Sequence, residues 1–114
     1  MATAKELRRI ALSLEGTREA QHFDRTAFKA VRIYATLAAD GRTANLKFTP
    51  DEQALKCMTA AEAFSRIANA WGDQGWTTVT LSAVSIAELK HALEMAWQHA
   101  GRRPPENAAA RAPA

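Results

Sequence analysis

The chain has 114 residues, of which 47% are hydrophobic and 24% charged, a balance that indicates one globular domain and excludes a disordered chain. Its one cysteine, Cys57, excludes an internal disulfide, and the net charge is only +3. No stretch approaches the length of a membrane span, and the apolar segment 10–14 is too short for a signal peptide. We therefore expect a cytoplasmic monomer that makes no membrane contact.

The beginning of the chain predicts a helix followed by two strands. Thr3-Ala4-Lys5-Glu6 has the pattern of a capping box, and Gly16 is typical of the residue that ends a helix. The apolar period then changes to two, which predicts strands at about 23–29 and 32–38. Asp40-Gly41 predicts a type I′ turn after the second strand.

The middle of the chain continues the sheet and then returns to helix. Alternation over 44–48 predicts a third strand, so that the three strands form a meander. Thr49-Pro50-Asp51-Glu52 combines an N-cap, a proline in the first turn and a capping glutamate, and predicts a short helix to about Met58. A single further turn is expected to end near Phe64.

The remaining elements complete an α+β domain over residues 1–100. We expect a short strand at about 66–70, a better one at 76–81, and a last helix that begins after Ser85 and ends before Gly101. This order predicts a two-layer sandwich, an antiparallel sheet with the N- and C-terminal helices on one face. Residues 101–114 are rich in proline, alanine and arginine, and we expect them to form a disordered tail.

Two of the three tryptophans, Trp71 and Trp76, each stand next to a glycine and enclose a short polar loop. A tryptophan buries a large area and must also satisfy its indole N–H, so this arrangement indicates a specific structure. From the residues alone it predicts a tight connection that fixes the following strand to the core.

Several segments together resemble the MmcQ/YjbR family, in order over roughly residues 7–100. The most specific is the paired-tryptophan glycine motif in combination with His22-Phe23. The segments that carry the resemblance are Ala11-Leu12-Ser13-Leu14-Glu15-Gly16-Thr17, His22-Phe23 with Phe28, Ala44-Asn45-Leu46-Lys47, Trp71-Gly72-Asp73-Gln74-Gly75-Trp76 and Ala96-Trp97. The resemblance implies a frataxin-like sandwich of the kind also called a double-wing DNA-binding fold. It also implies DNA binding, an assignment that rests on fold analogy.

The first functional hypothesis is weak, largely non-specific binding of DNA through cationic hairpins. Backbone binding of this kind requires several cations on one outward surface. Lys47 is expected to be solvent-exposed, because it alternates with Leu46 and Phe48 and the helices cover their face. The alternative is an ordinary solvated sheet face, diluted by Asp24 and Asp40. The five candidate residues are Arg25, Lys29, Arg32, Arg42 and Lys47.

The second hypothesis is a module that binds a small aromatic ligand or a protein partner. Aromatic faces beside one titratable side chain are suited to stacking on a flat ring. The candidate groove is formed by His22, Phe23, Trp71 and Trp76. The alternative here is that these rings pack in the core or at its rim. A third possibility is a domain that acts only within a larger assembly.

Metal-dependent and enzymatic functions have no supporting motif in the sequence. His91 and His99 are eight residues apart on the last predicted helix, about 12 Å, which is too far for one ion. There is no phosphate-binding glycine loop and no nucleophile motif. We therefore expect neither an enzyme nor a protein with a bound cofactor or metal.

Overall fold

The structure is a computed structural model that describes residues 1–100. The predicted capping box of the second helix is complete, whereas that of the first is half formed and the helix ends at a Leu14 C-cap, two residues before Gly16. Thr3 accepts from the Glu6 N–H, and Thr49 and Glu52 form a reciprocal capping box. The elements are α1 (Ala4–Ser13), β1 (Arg18–His22), β2 (Arg25–Lys29), β3 (Ile33–Leu37), β4 (Thr43–Lys47), α2 (Pro50–Thr59), β5 (Phe64–Arg66), α3 (Ala70–Asp73), β6 (Trp76–Thr80) and α4 (Ile86–Ala100).

The six strands form one antiparallel sheet in the order β1-β2-β3-β4-β6-β5. Helix α4 packs on β3 and β4 and against α1, so both long helices cover the same face. The core lies between the layers, where strand residues such as Phe28, Leu46 and Val79 meet Leu7 and Leu93 of the helices. The predicted α+β two-layer sandwich is therefore confirmed, and neither α1 nor α4 covers the other face of the sheet. We call it the open face.

The sheet contains one strand more than the sequence predicted. Strand β1 was missed, and the prediction of a strand from residue 23 placed its start inside the β1–β2 turn. Every residue of β1 is exposed, so burial imposes no apolar alternation on it. The short strand expected at 66–70 lies instead at Phe64–Arg66, and residues 70–73 form α3.

The turn at Asp40-Gly41 is not type I′. That turn requires positive φ at both central residues, and here only Gly41 has one, at 73°. The Arg42 N–H donates to Asp40 Oδ1 at 3.0 Å, and the Ala38 N–H bonds the Thr43 carbonyl at 3.0 Å across a longer loop. The Asp40 side chain thus accepts the backbone N–H of Arg42, so the loop does not need a second residue with positive φ.

The C-terminal end of α4 is held by the turn between β2 and β3. The N–H groups of Val31 and Arg32 donate to the Ala100 carbonyl at 3.0 and 3.2 Å. Residues 101–114, the predicted disordered tail, lie outside the described residues. Within residues 1–100, no helix combines the length and the apolarity that crossing a bilayer demands.

Candidate ligand-binding site

The paired-tryptophan motif forms α3 and the start of β6, and close backbone packing explains both of its glycines. Asn69 caps α3 by accepting from the N–H groups of Trp71 and Gly72. A Cβ on Gly72 would lie 1.7 Å from the Ile67 carbonyl oxygen. Gly75 has φ of 109°, and a Cβ there would lie 1.9 Å from the Phe48 carbonyl oxygen. The motif is thus the tight connection that the sequence predicted.

A buried glutamine ties this connection to α2. The Gln53 amide Nε2 donates to the carbonyls of Gly72 and Trp76, both at 3.0 Å. Gln53 is only 6% exposed. Sequence reasoning missed Gln53. Its only sequence signal was a polar residue on the inward side of a short amphipathic helix, which is too weak to assign a role.

A cavity of about 390 Å³ lies over the open face of the sheet. Side chains of a strand alternate between faces, so residues next to the core positions Phe28, Leu46 and Val79 point to the open face. Trp76 lies in this layer, on the strand that pairs with β4. The strand residues that line the cavity are Arg25, Ile33, Thr36, Asn45 and Trp76.

The rim of the cavity joins the β1–β2 hairpin to the segment around α3. His22 contributes from the end of β1, and Ile67, Asn69 and Trp71 contribute from the other side. Trp71 is 60% exposed although its ring is large and apolar. Three of the four residues predicted for an aromatic groove, His22, Trp71 and Trp76, are thereby brought to one cavity.

Phe23, the fourth predicted groove residue, is not part of the lining. It occupies the two-residue turn between His22 and Arg25, with φ of 58°, and is 88% exposed. Its ring meets the His22 ring edge-on, with centroids 4.8 Å apart. Phe23 therefore stands beside the rim and touches the cavity only through His22.

Three hydrogen bonds made by side chains order the polar residues of the cavity lining. Arg25 Nε donates to Thr36 Oγ1 at 2.9 Å, and its Nη2 donates to the Thr36 carbonyl at 3.3 Å. Thr78 Oγ1 donates to Asn45 Oδ1 at 2.8 Å. Both Arg25 and Asn45 are thus held in place by neighbours on the same face. Sequence reasoning missed Ile33, Thr36 and Asn45, because strand order and not spacing along the chain brings them to the tryptophans. It also missed Ile67 and Asn69, although they stand only four and two residues before Trp71.

The five predicted cations do not form one patch. Arg25 and Arg42 lie at the end of the sheet where the β3–β4 loop turns. Lys29 and Arg32 lie at the opposite end of β3, where Lys29 pairs with Ile33, and Lys47 lies at this end too. The two ends are separated by about 13 Å, the length of a five-residue strand.

Lys47 is half-buried, not solvent-exposed as the sequence predicted. Its Nζ donates to the Gln74 carbonyl at 2.7 Å, which places the ammonium against the loop that precedes β6. Burial lowers the pKa of Lys47, the nearby Arg32 charge lowers it further, and Glu52 acts in the opposite direction. The Lys47 side chain is therefore engaged by the protein itself.

No cluster of three or more His, Cys, Asp or Glu side chains able to hold a metal was found within residues 1–100. His91 and His99, which the sequence analysis considered, both lie on α4. The His99 ring instead contacts Glu52 of α2, with Nε2 2.9 Å from Oε1.

The model of the YjbR family matches residues 12–99. The chain belongs to the YjbR family. This confirms the resemblance seen in the sequence, and the match contains the whole cavity lining. A solved structure agrees: a crystallised Deinococcus radiodurans protein with the family domain DUF419 superposes with a TM-score of 0.71 at 22% identity, over 84% of this chain and 76% of that one. This likeness shows the fold. None of the curated proteins matches the chain.

Proposed function

We propose that this YjbR-family chain is a binding protein for small, flat aromatic molecules, which lie in the cavity of the open face against Trp71 and Trp76. The observation that carries the proposal is the pairing of an exposed tryptophan with a half-buried one on the same cavity. An exposed aromatic ring at the rim of a cavity is typical of a ligand site.

The cavity has the dimensions and composition that small-ligand sites require. Its volume of about 390 Å³ falls within the range of about 300–1,000 Å³ seen for ligand pockets. The lining combines two indole rings and two isoleucines with a few fixed polar groups. Stacking on an aromatic side chain contributes about 1–3 kcal/mol for each ring, so one tryptophan accounts for a large part of the affinity for a small ligand.

The decisive experiment is a titration followed through the three tryptophan indole N–H signals in NMR spectra. The probe is 2-naphthalenemethanol, and the control is its saturated decahydro analogue. We expect the Trp71 and Trp76 signals to move with the aromatic probe only. Trp97 serves as an internal reference, because its indole N–H donates to the Glu15 carbonyl at 2.8 Å, on the helix-covered side.

Trp71→Ala should weaken binding of the probe by about 10-fold or more, the equivalent of one lost stacking contact. The matched control is Leu55→Ala, which removes another exposed apolar side chain, one on α2 outside the cavity lining. Equal responses to the aromatic and saturated compounds, or equal affinities of the two variants, would contradict the proposal.

Weak nucleic-acid binding is the second candidate, and the charge of the open face favours it. The strand residues that point to this face include four cations, Arg18, Arg25, Lys29 and Lys47. No described strand residue on this face is an aspartate or a glutamate. Such a face attracts a phosphate backbone irrespective of sequence. The cations lie at two ends of the face, and Lys47 bonds the Gln74 carbonyl. The candidate phosphate contacts at one end are therefore Lys29 and Arg32.

A further inference from the structure

We infer that the ligand of the cavity is an aromatic anion, with a carboxylate or another acceptor-rich group that faces Arg25 and Asn45. This inference rests on the proposed aromatic site and adds the charge and the hydrogen-bonding character of the ligand. It is carried by the hydrogen bonds that the lining residues already make.

The acceptor atoms of both asparagines in the lining are engaged within the protein. Asn45 Oδ1 accepts from Thr78, and Asn69 Oδ1 accepts from the N–H groups of Trp71 and Gly72. In contrast, the two Nδ2 groups have no hydrogen-bond partner among residues 1–100. Each asparagine therefore offers its amide N–H donors to a ligand, while its oxygen is used to fix the side chain.

The remaining polar groups of the lining are also mainly donors. Arg25 uses Nε and Nη2 on Thr36, and its Nη1 makes no bond inside the described part of the chain. The indole N–H groups of Trp71 and Trp76 are likewise unpaired within residues 1–100, in contrast to that of Trp97. The side-chain acceptors among the described lining residues, apart from the asparagine oxygens, are the Thr36 hydroxyl, which already accepts from Arg25 Nε, and a ring nitrogen of His22 when the imidazole is neutral.

The charge of the cavity lining also favours an anionic ligand. Arg25 lines the cavity, and no aspartate or glutamate among residues 1–100 does. A guanidinium that is held in place and faces a partly apolar cavity binds a carboxylate with two parallel hydrogen bonds at low cost in side-chain entropy. A cationic ligand would meet Arg25 without a compensating carboxylate, so the site selects against it.

The test compares three ligands of one shape: 2-naphthoate, 2-naphthalenemethanol and 2-naphthylmethylammonium, all at one ionic strength and followed by the indole signals. We expect the anion to bind at least 10-fold more tightly than the alcohol, and the cation to bind most weakly. Binding of all three with equal affinity would overturn the inference and leave the aromatic site intact. Failure of all three would instead overturn the proposed function itself.

Two substitutions locate the effect. Arg25→Met keeps the length of the side chain and should reduce the affinity for 2-naphthoate far more than the affinity for the alcohol, so that the two ligands bind about equally. Asn45→Asp keeps the acceptor for Thr78, replaces the amide donors by a carboxylate, and should reverse the order of the anion and the cation. Arg9→Met on α1, an exposed arginine outside the cavity, is the control. An unchanged order of affinities in folded Asn45→Asp protein would contradict the inference.

Discussion

Phe23 combines two unfavourable features at one position. A φ of 58° brings the Cβ of a bulky residue close to its own backbone, which costs about 1–2 kcal/mol relative to a residue in the right-handed region. Phe23 is 88% exposed, so its packing against the core offsets almost none of this cost. Glycine is the residue that adopts positive φ without strain, and a two-residue turn ordinarily carries it or asparagine there.

Phe23→Gly should therefore raise the free energy of unfolding by up to about 1 kcal/mol, the relief of strain less the entropy of a freer unfolded chain. Denaturant titration measures the change. Val31→Gly is the matched control, since Val31 is also an exposed apolar turn residue but has no positive φ. It should lower stability by about 0.5–1 kcal/mol. Equal losses in both variants would show that Phe23 is unstrained.

The connection between α3 and β6 depends on one side chain of another element. Gln53 of α2 bonds the carbonyls of Gly72 and Trp76 from a buried position, so α2 determines where Trp76 lies on the open face. This contact couples the stability of the fold to the shape of the cavity.

Gln53→Leu should lower the free energy of unfolding by about 1–3 kcal/mol, because two hydrogen bonds of about 1 kcal/mol each are lost. It should also weaken binding of the aromatic probe, because the Trp76 backbone loses an anchor. Gln98→Leu on α4 is the control, since Gln98 is exposed and surface substitutions usually change stability by less than about 0.5 kcal/mol. A stable Gln53→Leu protein with unchanged affinity would refute the coupling.

The elements that the sequence predicted correctly are those with a strong local signal. The capped helices α1 and α2 and the buried strands β3 and β4 have side-chain periods that follow from one-sided burial. Strand β1 has no buried side and hence no period. The cavity could be predicted only in part: the tryptophans were conspicuous, but Asn45 and Thr36 join them through the register between strands, which no local pattern specifies.

At the scale of the whole molecule, the basic end of the open face adjoins the aromatic cavity, because Lys29 and Lys47 pair with Ile33 and Trp76 of its lining. If nucleic acid binds there through Lys29 and Arg32, two phosphate contacts should make affinity fall by roughly 12-fold between about 25 and 100 mM salt. Fluorescence anisotropy with a labelled random duplex measures this slope.

Lys29→Glu should weaken binding equally on all sequences, whereas Arg42→Glu, at the other end of β3, should have a smaller effect. Binding that does not depend on salt, or two variants with the affinity of the unmodified protein, would remove this candidate. Because the cavity adjoins this end, bound 2-naphthoate should compete with the duplex.

The two amides of the β2–β3 turn that cap α4 have a consequence for how the protein opens. Because Val31 and Arg32 bond the Ala100 carbonyl, the last turn of α4 cannot unwind unless this hairpin turn also detaches. Turn amides ordinarily exchange with solvent rapidly, but we expect these two to exchange only when the end of α4 opens. The end of α4 is thus bonded to a turn about 70 residues earlier in the chain. We expect both regions to lose their protection against hydrogen exchange together.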